Sequence, residues 1–167
     1  MRNHIFTIGH SNIDSTHLID RFKQYNIDTI VDIRSMPYSK YSPQFNKESF
    51  EHICKINGLN YLYLGDALGG KPNDPSVISD SNKIDYSLLS QKNYFLTGIN
   101  KLLTLINDHN VCLMCSEGQP DKCHRNLLLS PVLEKNGVEI SHILPDGLCV
   151  SPKEQFLTKN NGQLVLF

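Results

Sequence analysis

The fold is decided by the segment Val111-Cys112-Leu113-Met114-Cys115-Ser116-Glu117-Gly118-Gln119-Pro120-Asp121-Lys122-Cys123-His124-Arg125. Its first residues form an apolar run, which predicts a buried strand over residues 111–114. The polar residues that follow predict a tight loop and then a helix that begins at Asp121. Thiols, a carboxylate, an imidazole and a guanidinium are therefore gathered at one strand-to-helix junction, where the N–H groups of a helix start favour anions.

Apolar runs and helical periods alternate along the rest of the chain. Strands are predicted over residues 4–8, 29–33, 60–64, 111–114 and 138–144, and helices over residues 15–25, 47–57, 92–108 and 121–135. Pro131 is expected to kink the last helix or to split it in two. The pattern predicts an α/β fold with a mainly parallel five-stranded sheet, covered by helices on both faces.

Two segments do not fit this alternation. Residues 34–46 form a predicted loop with two prolines, and residues 65–90 form a longer one with a Gly-Gly pair. A loop as long as the second is typically a lid, a binding loop or a disordered excursion, because an irregular segment of that length is uncommon in a compact domain. The apolar end of the chain, residues 164–167, is expected to dock on the core or to add an edge strand.

Size and composition favour one α/β catalytic domain over residues 1–150, with residues 151–167 as an extension packed on it. The 167 residues carry a net charge of −1, so nonspecific binding of nucleic acid by bulk charge is not expected. No apolar run approaches the roughly 20 residues that span a bilayer, and no secretory signal is visible, so no membrane partner is expected. The odd number of five cysteines favours a cytoplasmic protein with reduced thiols.

Ligands of open parallel sheets bind beyond the carboxyl ends of the strands, and polar residues follow four of the predicted strands. Asp32 lies within an apolar strand, where a carboxylate needs a partner. It either forms a structural ion pair with Arg34 or Arg125 or caps a neighbouring loop, or it acts as a general base or as the electrostatic stabiliser of a cationic transition state. The candidates that accompany it at this edge are His10, Ser11, Asn12, Ser35, Cys115, Glu117 and His142.

Several of these candidates also have a purely structural interpretation. Ser11 and Asn12 are common turn and helix-capping residues, and His142 alternates with apolar residues in the manner of a core histidine. The loop after Arg34 carries Tyr38, Ser39 and Phe45, whose hydroxyls and rings are suited to holding phosphates and stacking a base. The same rings would otherwise pack back on the core.

Cys115 and Cys123 allow three interpretations. One of them is a nucleophile activated by a neighbouring imidazole, although the spacing to Arg125 is too long for the compact phosphatase or rhodanese loop. A zinc site with two of His10, His124 and His142 is disfavoured, because no paired CxxC motif is present. The simplest interpretation makes Cys115 a packing residue and leaves His124 and Arg125 as the working groups.

Five ordered motifs resemble a known family. They are Thr7-Ile8-Gly9-His10-Ser11-Asn12, Val31-Asp32-Ile33-Arg34-Ser35-Met36-Pro37-Tyr38-Ser39, Tyr61 to Leu64 with Leu68-Gly69-Gly70, Leu113-Met114-Cys115-Ser116-Glu117 with Cys123-His124-Arg125, and His142-Ile143. Together they resemble the family called domain of unknown function 488. The chain departs from that pattern at Ser130-Pro131 and in the long polar segment after Gly70. The resemblance implies a small α/β enzyme, similar in topology to uracil-DNA-glycosylase-like folds, with links to DNA repair or phage defence.

The leading hypothesis is therefore a hydrolase that cleaves the N-glycosidic bond of a modified base flipped out of DNA. Asp32 would stabilise the sugar cation and orient water, His10 or His142 would hydrogen-bond the departing base, and no metal or organic cofactor is expected. The substrate-binding residues would be Ser11, Asn12, Arg34, Ser35, Tyr38, Ser39, Phe45, Cys115, Cys123 and Arg125, and His124 and Glu117 would assist catalysis. The alternatives are a cysteine-dependent sulfur- or phosphoryl-transfer enzyme and a non-catalytic nucleotide or nucleic-acid binding module.

Overall fold

The computed structural model describes residues 3–154, which form one six-stranded sheet. The strands are β1 His4–Gly9, β2 Thr29–Asp32, β3 Asn60–Tyr63, β4 Val111–Cys115, β5 Glu139–Ile143 and β6 Cys149–Val150. Their order across the sheet is β3-β2-β4-β1-β5-β6. The first five strands are parallel, and β6 pairs antiparallel with β5. The α/β class and the mainly parallel sheet are as the sequence predicts.

Helices cover both faces of the sheet because their apolar residues recur at helical spacing. They are α1 Ser15–Gln24, α2 Lys47–Ile56, α3 Gly65–Leu68, α4 Tyr86–Leu89, α5 Asn93–Leu105 and α6 Ser130–Lys135. Phe22 of α1 and Phe50 of α2 belong to the hydrophobic core on one face, and Phe95 of α5 and Leu133 of α6 belong to the core on the other. No helix of the described residues is long and apolar enough to cross a membrane.

The strand count was wrong by one, because β6 follows a turn too short to stand out in the sequence. Gly147 has a φ of +86°, a backbone conformation that glycine adopts without strain. The N–H of Leu144 donates to the carbonyl of Leu148, and this reversal brings Cys149–Val150 back against β5. The predicted role of residues 164–167, and most of the predicted extension from residue 151, lie outside the described residues.

The fourth helix begins later than predicted. Residues 121–123 form a turn, in which the N–H of Cys123 donates to the carbonyl of Pro120. A π-helical turn at Arg125–Leu129 follows, and it continues into α6. The winding changes from π to α beside Pro131, which has no N–H to donate within a helix, so the helix changes its winding there and is not divided in two.

The segment of residues 65–90, predicted to be an irregular loop, contains short regular elements. Helices α3 and α4 lie at its two ends, with a 3-10 turn at Pro75–Val77 and an antiparallel bridge between Ile78 and Ile84. Asp74 and Asp85 cap the 3-10 turn and α4, because their carboxylates accept backbone N–H groups there. Such local capping stabilises single turns that sequence periodicity does not reveal.

The connections leaving β1 and β4 diverge, and this positions the candidate site. The chain passes from β1 through α1 on one face to β2, and from β4 through α6 on the other face to β5. Adjacent parallel strands whose connections leave in opposite directions open a crevice at their carboxyl ends. The segment that begins with β4 therefore borders this crevice.

Candidate active site

A pocket of about 930 Å³ opens at the carboxyl edge of the sheet. Its floor is formed by the residues after β2 and β4, and its outer wall by the segment between α3 and α5. The lining residues are Arg34, Ser35, Met36, Gly65, Asp66, Gly70, Lys71, Pro72, Asn73, Asp74, Tyr86, Tyr94, Cys115, Ser116, Glu117, Lys122, Cys123 and His124. The segment predicted to be a lid or binding loop thus supplies one wall of the pocket.

The two thiols and the imidazole of the β4 segment meet in one corner of this pocket. Cys115 Sγ lies 3.8 Å and Cys123 Sγ 3.7 Å from Nδ1 of His124. The three ligand atoms all lie within 4.8 Å of one another, and all three residues are buried. We call Cys115, Cys123 and His124 the thiol–imidazole corner.

The orientation of the His124 ring is set by the backbone. Its Nε2 lies 3.2 Å from the carbonyl oxygen of Ile33. A carbonyl accepts only, so Nε2 donates its proton to it, and Nδ1 faces the two sulfur atoms. Gly70 packs against the ring: a Cβ added there would lie 2.7 Å from the Cβ and Cγ of His124. A side chain at residue 70 would displace the imidazole.

Hydrogen bonding shifts the pKa values of the two thiols in opposite directions. The hydrogen bond from Cys123 lowers the pKa of Cys115, assisted by His124 and by the N–H of Glu117, while burial opposes this. The same bond raises the pKa of Cys123, and burial raises it further. Hydrogen bonding therefore favours a thiolate on Cys115 over one on Cys123.

Arg125 shapes the loop beside this corner and does not face the pocket. Its side chain is fully buried, and its guanidinium donates to the carbonyls of Glu117 and Gly118. A Cβ at Gly9 would overlap the Glu117 carbonyl, so only glycine admits the loop so close to β1. Arg125 is therefore a loop-positioning residue, and the predicted grip on phosphates is wrong for it.

Asp32 belongs to a closed cluster with Arg34 and Tyr61. Its Oδ1 accepts Nε of Arg34 at 2.9 Å, and its Oδ2 accepts Nη2 of Arg34 and the hydroxyl of Tyr61, both at 2.6 Å. Asp32 is fully buried and does not line the pocket. Burial opposes the charge of Arg34, but the pairing with Asp32 raises its pKa. The geometry favours the structural ion pair over the general base.

His10 and Phe45 are also engaged inside the protein. Nδ1 of His10 donates to the carbonyl of Ser11, and Nε2 accepts from Nη1 of Arg34. Burial lowers the pKa of His10 to about 4, and the charge of Arg34 contributes to the decrease. The ring of Phe45, only 1% exposed, stacks on His10 at 4.2 Å between centroids. The predicted stacking of Phe45 on an extruded base is therefore wrong.

His142 is a satisfied core histidine. The hydroxyl of Thr7 lies 2.7 Å from its Nδ1, and Oδ1 of Asn126 lies 3.1 Å from its Nε2. Burial, and then the positive charge of Arg125, lower the pKa of His142 to about 4. The ring is fully buried and does not line the pocket.

The remaining predicted binding residues divide into two groups. Ser35 lines the pocket and accepts the N–H of Lys71 at 2.9 Å. The other four lie outside the pocket, where local hydrogen bonds engage them: Ser11 N–H to the Ser116 carbonyl, Asn12 with Ser42, the Tyr38 hydroxyl with Glu48, and Ser39 with Asn46 and Tyr41. Tyr38 is half exposed, so its ring remains accessible from solvent.

Sequence reasoning missed the residues of the outer wall. Lys71, Lys122, Tyr86 and Tyr94 line the pocket, and Tyr94 donates a hydrogen bond to Asp74. Lys122 lies in the segment of residues 111–125, so its position beside the site could have been predicted from the sequence. Lys71 and Tyr86 come from the segment of residues 65–90 and Tyr94 from the start of α5, and their positions over the sheet are set by tertiary contacts.

The family model described as domain of unknown function DUF488 matches residues 15–131, which is 117 of the 167 residues. The chain belongs to this family, as the five motifs predicted. No curated protein and no solved structure matches the chain.

Proposed function

We propose that this chain is a nucleic-acid-processing hydrolase that cleaves the N-glycosidic bond of a modified base in DNA, in repair or phage defence. The observation that carries the proposal is the pocket at the carboxyl edge, which combines a carboxylate, cations and aromatic rings. At about 930 Å³ it lies within the usual range of ligand pockets and accommodates one nucleotide, not a duplex. A target base would therefore have to be flipped out of the helix to enter.

The catalytic assignment moves from Asp32 to Glu117. Asp32 is enclosed by Arg34 and Tyr61, whereas Glu117 is exposed and lines the pocket beside Cys115. In the proposed reaction the bond between C1′ and the base nitrogen breaks, and water forms a C1′–O bond. The base leaves with the electron pair and takes up a proton. Glu117 would accept a proton from water and stabilise the sugar cation.

Binding would use the outer wall. Lys71 and Lys122 are exposed cations that line the pocket, and they would contact phosphates. Tyr86 and Tyr94 are partly buried rings on the same wall and would stack on the base. A topology similar to uracil-DNA-glycosylase-like folds is part of the same proposal.

The test is an incubation of purified protein with a panel of DNAs that carry different base modifications. Released bases are measured by mass spectrometry and abasic sites by strand cleavage. We expect release from at least one DNA, and a loss of about 100-fold or more in the Glu117→Gln variant, the lower range for a general base. Glu134→Gln, an exposed change on α6, is the matched control. Release at an unchanged rate in Glu117→Gln would contradict the role of Glu117.

A cysteine-dependent sulfur- or phosphoryl-transfer enzyme is the second candidate, favoured by the position of Cys115 at the pocket. The thiol of Cys123 and the N–H of Glu117 both donate to Cys115 Sγ, an environment that stabilises a thiolate nucleophile. This candidate predicts that iodoacetamide abolishes turnover of the transfer substrate. Turnover by the Cys115→Ser, Cys123→Ser double variant would exclude it.

A further inference from the structure

The thiol–imidazole corner has the dimensions of a metal centre. In a tetrahedral zinc site with Zn–S near 2.3 Å and Zn–N near 2.0–2.1 Å, sulfur and nitrogen ligands lie roughly 3.6 Å apart. The two sulfur–nitrogen distances here are 3.8 and 3.7 Å. Both sulfur–nitrogen distances therefore match such a site to within about 0.2 Å, and the two sulfur atoms lie within 4.8 Å of each other, against roughly 3.8 Å in a tetrahedral site.

The imidazole is already oriented as a metal ligand. Metal-binding histidines donate their other ring N–H to a carbonyl or carboxylate, which fixes the tautomer and the ring plane. Nε2 of His124 donates in this way to the carbonyl of Ile33. Nδ1 faces the two sulfur atoms, so its lone pair would be available to a cation placed between the three atoms.

Among residues 3–154, Cys115, Cys123 and His124 form the one group of three metal-ligating side chains with converging ligand atoms. All three also line the pocket. Three protein ligands with one side open to a pocket are typical of catalytic zinc sites, whereas structural sites are closed by a fourth protein ligand. Neither His10 nor His142 completes the set, because both rings are engaged elsewhere.

We propose that Cys115 Sγ, Cys123 Sγ and His124 Nδ1 bind one zinc-class divalent cation, whose fourth coordination position faces the pocket. Thiolate ligands select zinc over magnesium or calcium, which prefer oxygen. The sequence predicted no metal, because the two cysteines are eight positions apart and share no CxxC motif. They come together because the loop between them folds back on Arg125. The inference goes beyond the proposed hydrolase; if both hold, the cation supplies a bound water of lowered pKa.

The test is cobalt substitution of the full chain, free of any histidine tag and kept reduced with a phosphine. We expect about one Co²⁺ per chain, with a thiolate-to-cobalt charge-transfer band and intense ligand-field bands of tetrahedral geometry. Zinc added in equal amount should displace the cobalt. Metal analysis of the purified protein should likewise give about one zinc per chain.

Variants assign the ligands. Cys115→Ser and Cys123→Ser should each lower the charge-transfer intensity by about half, and the double variant should abolish it, because each sulfur contributes one thiolate ligand. His124→Asn should keep the charge-transfer band, shift the ligand-field bands and weaken binding. Cys149→Ser changes a half-buried thiol on β6, outside the corner, and should leave the spectrum unchanged.

Two results would overturn the proposal. One is a reduced, folded protein that binds no cobalt or zinc; the other is a thiolate band that persists in the folded double variant. Circular dichroism of each variant establishes that it is folded. Metal binding is measured without substrate, so the two proposals are tested separately. Failure to release a base would overturn the hydrolase proposal and would leave the metal site standing.

Discussion

Two buried polar clusters lie at the carboxyl edge of the same sheet, and they differ in what remains unsatisfied. Every carboxylate oxygen of Asp32 is bonded to Arg34 or Tyr61, and of these three residues only Arg34 lines the pocket. The thiol–imidazole corner lines the pocket, and both of its sulfur atoms lie within 3.8 Å of one imidazole nitrogen. The comparison teaches that a closed cluster stabilises the fold, whereas an open one retains capacity for chemistry.

The largest expected effect is on the closed cluster. Asp32→Ala leaves the guanidinium of Arg34, only 6% exposed, without its counter-charge. Removing one partner of a buried ion pair costs about 3–5 kcal/mol of unfolding free energy, measured by urea denaturation. Asp20→Ala, an exposed change on α1, is the control and should change stability by less than about 0.5 kcal/mol. Equal effects of the two changes would show that the cluster is not closed.

The next effect is on pH dependence, through His142. Its pKa is about 4 in the folded state and 6.5 in the unfolded state, so the unfolded state binds more protons between these values. Stability therefore falls as the pH decreases from 6.5 to about 4, by roughly 3 kcal/mol for this group. His142→Gln should flatten that part of the profile of unfolding free energy against pH, and the exposed change His17→Gln should not. A parallel decline in all three proteins would contradict the burial of a neutral His142.

The third prediction concerns the hydrogen bond that Tyr61 adds to the closed cluster. Tyr61→Phe removes one hydrogen bond to the Asp32 carboxylate but leaves the ion pair with Arg34. A hydrogen bond to a charged group contributes about 1.5–3 kcal/mol, so the loss should be smaller than that of Asp32→Ala. Chemical denaturation measures the loss of unfolding free energy in both variants. A larger loss in Tyr61→Phe than in Asp32→Ala would contradict the ion pair as the main stabilising contact of the cluster.

The smallest expected effect on the unfolding free energy of the metal-free protein is in the thiol–imidazole corner. Cys115→Ser should change the unfolding free energy of the metal-free protein by less than about 1 kcal/mol, because the two side chains are similar in size. It should nevertheless remove the stabilisation by zinc, which for the unsubstituted protein is about 2.7 kcal/mol at a hundredfold excess over the dissociation constant. Thermal unfolding with and without zinc measures both quantities. An equal zinc response in the two proteins would contradict the ligand role of Cys115.

The parallel sheet was predictable because its strands are short apolar runs such as Ile30-Val31 and Cys112-Leu113-Met114. The edge strand β6 was not, because two residues carry no periodicity. The proximity of Cys115 and His124 could be predicted, because Cys115 ends β4 and His124 lies in the segment that follows it. The closure of Asp32 did not, because its partner Tyr61 comes from β3 and reaches it only through strand pairing. Arg125 was misassigned for a similar reason. Its acceptors are backbone carbonyls, which every residue has, so the sequence does not show which of them it will contact.

The most direct test of the open corner is alkylation mapping of all five cysteines by mass spectrometry, in reduced metal-free protein with and without zinc. Cys115 and Cys123 should be modified before the core thiols, since they line the pocket, and zinc should protect both. Cys149, half buried on β6, should react at the same rate with and without zinc. The core thiols Cys54 and Cys112 should remain unmodified in the folded protein. Modification of Cys115 and Cys123 at the same rate with and without zinc would contradict the central claim.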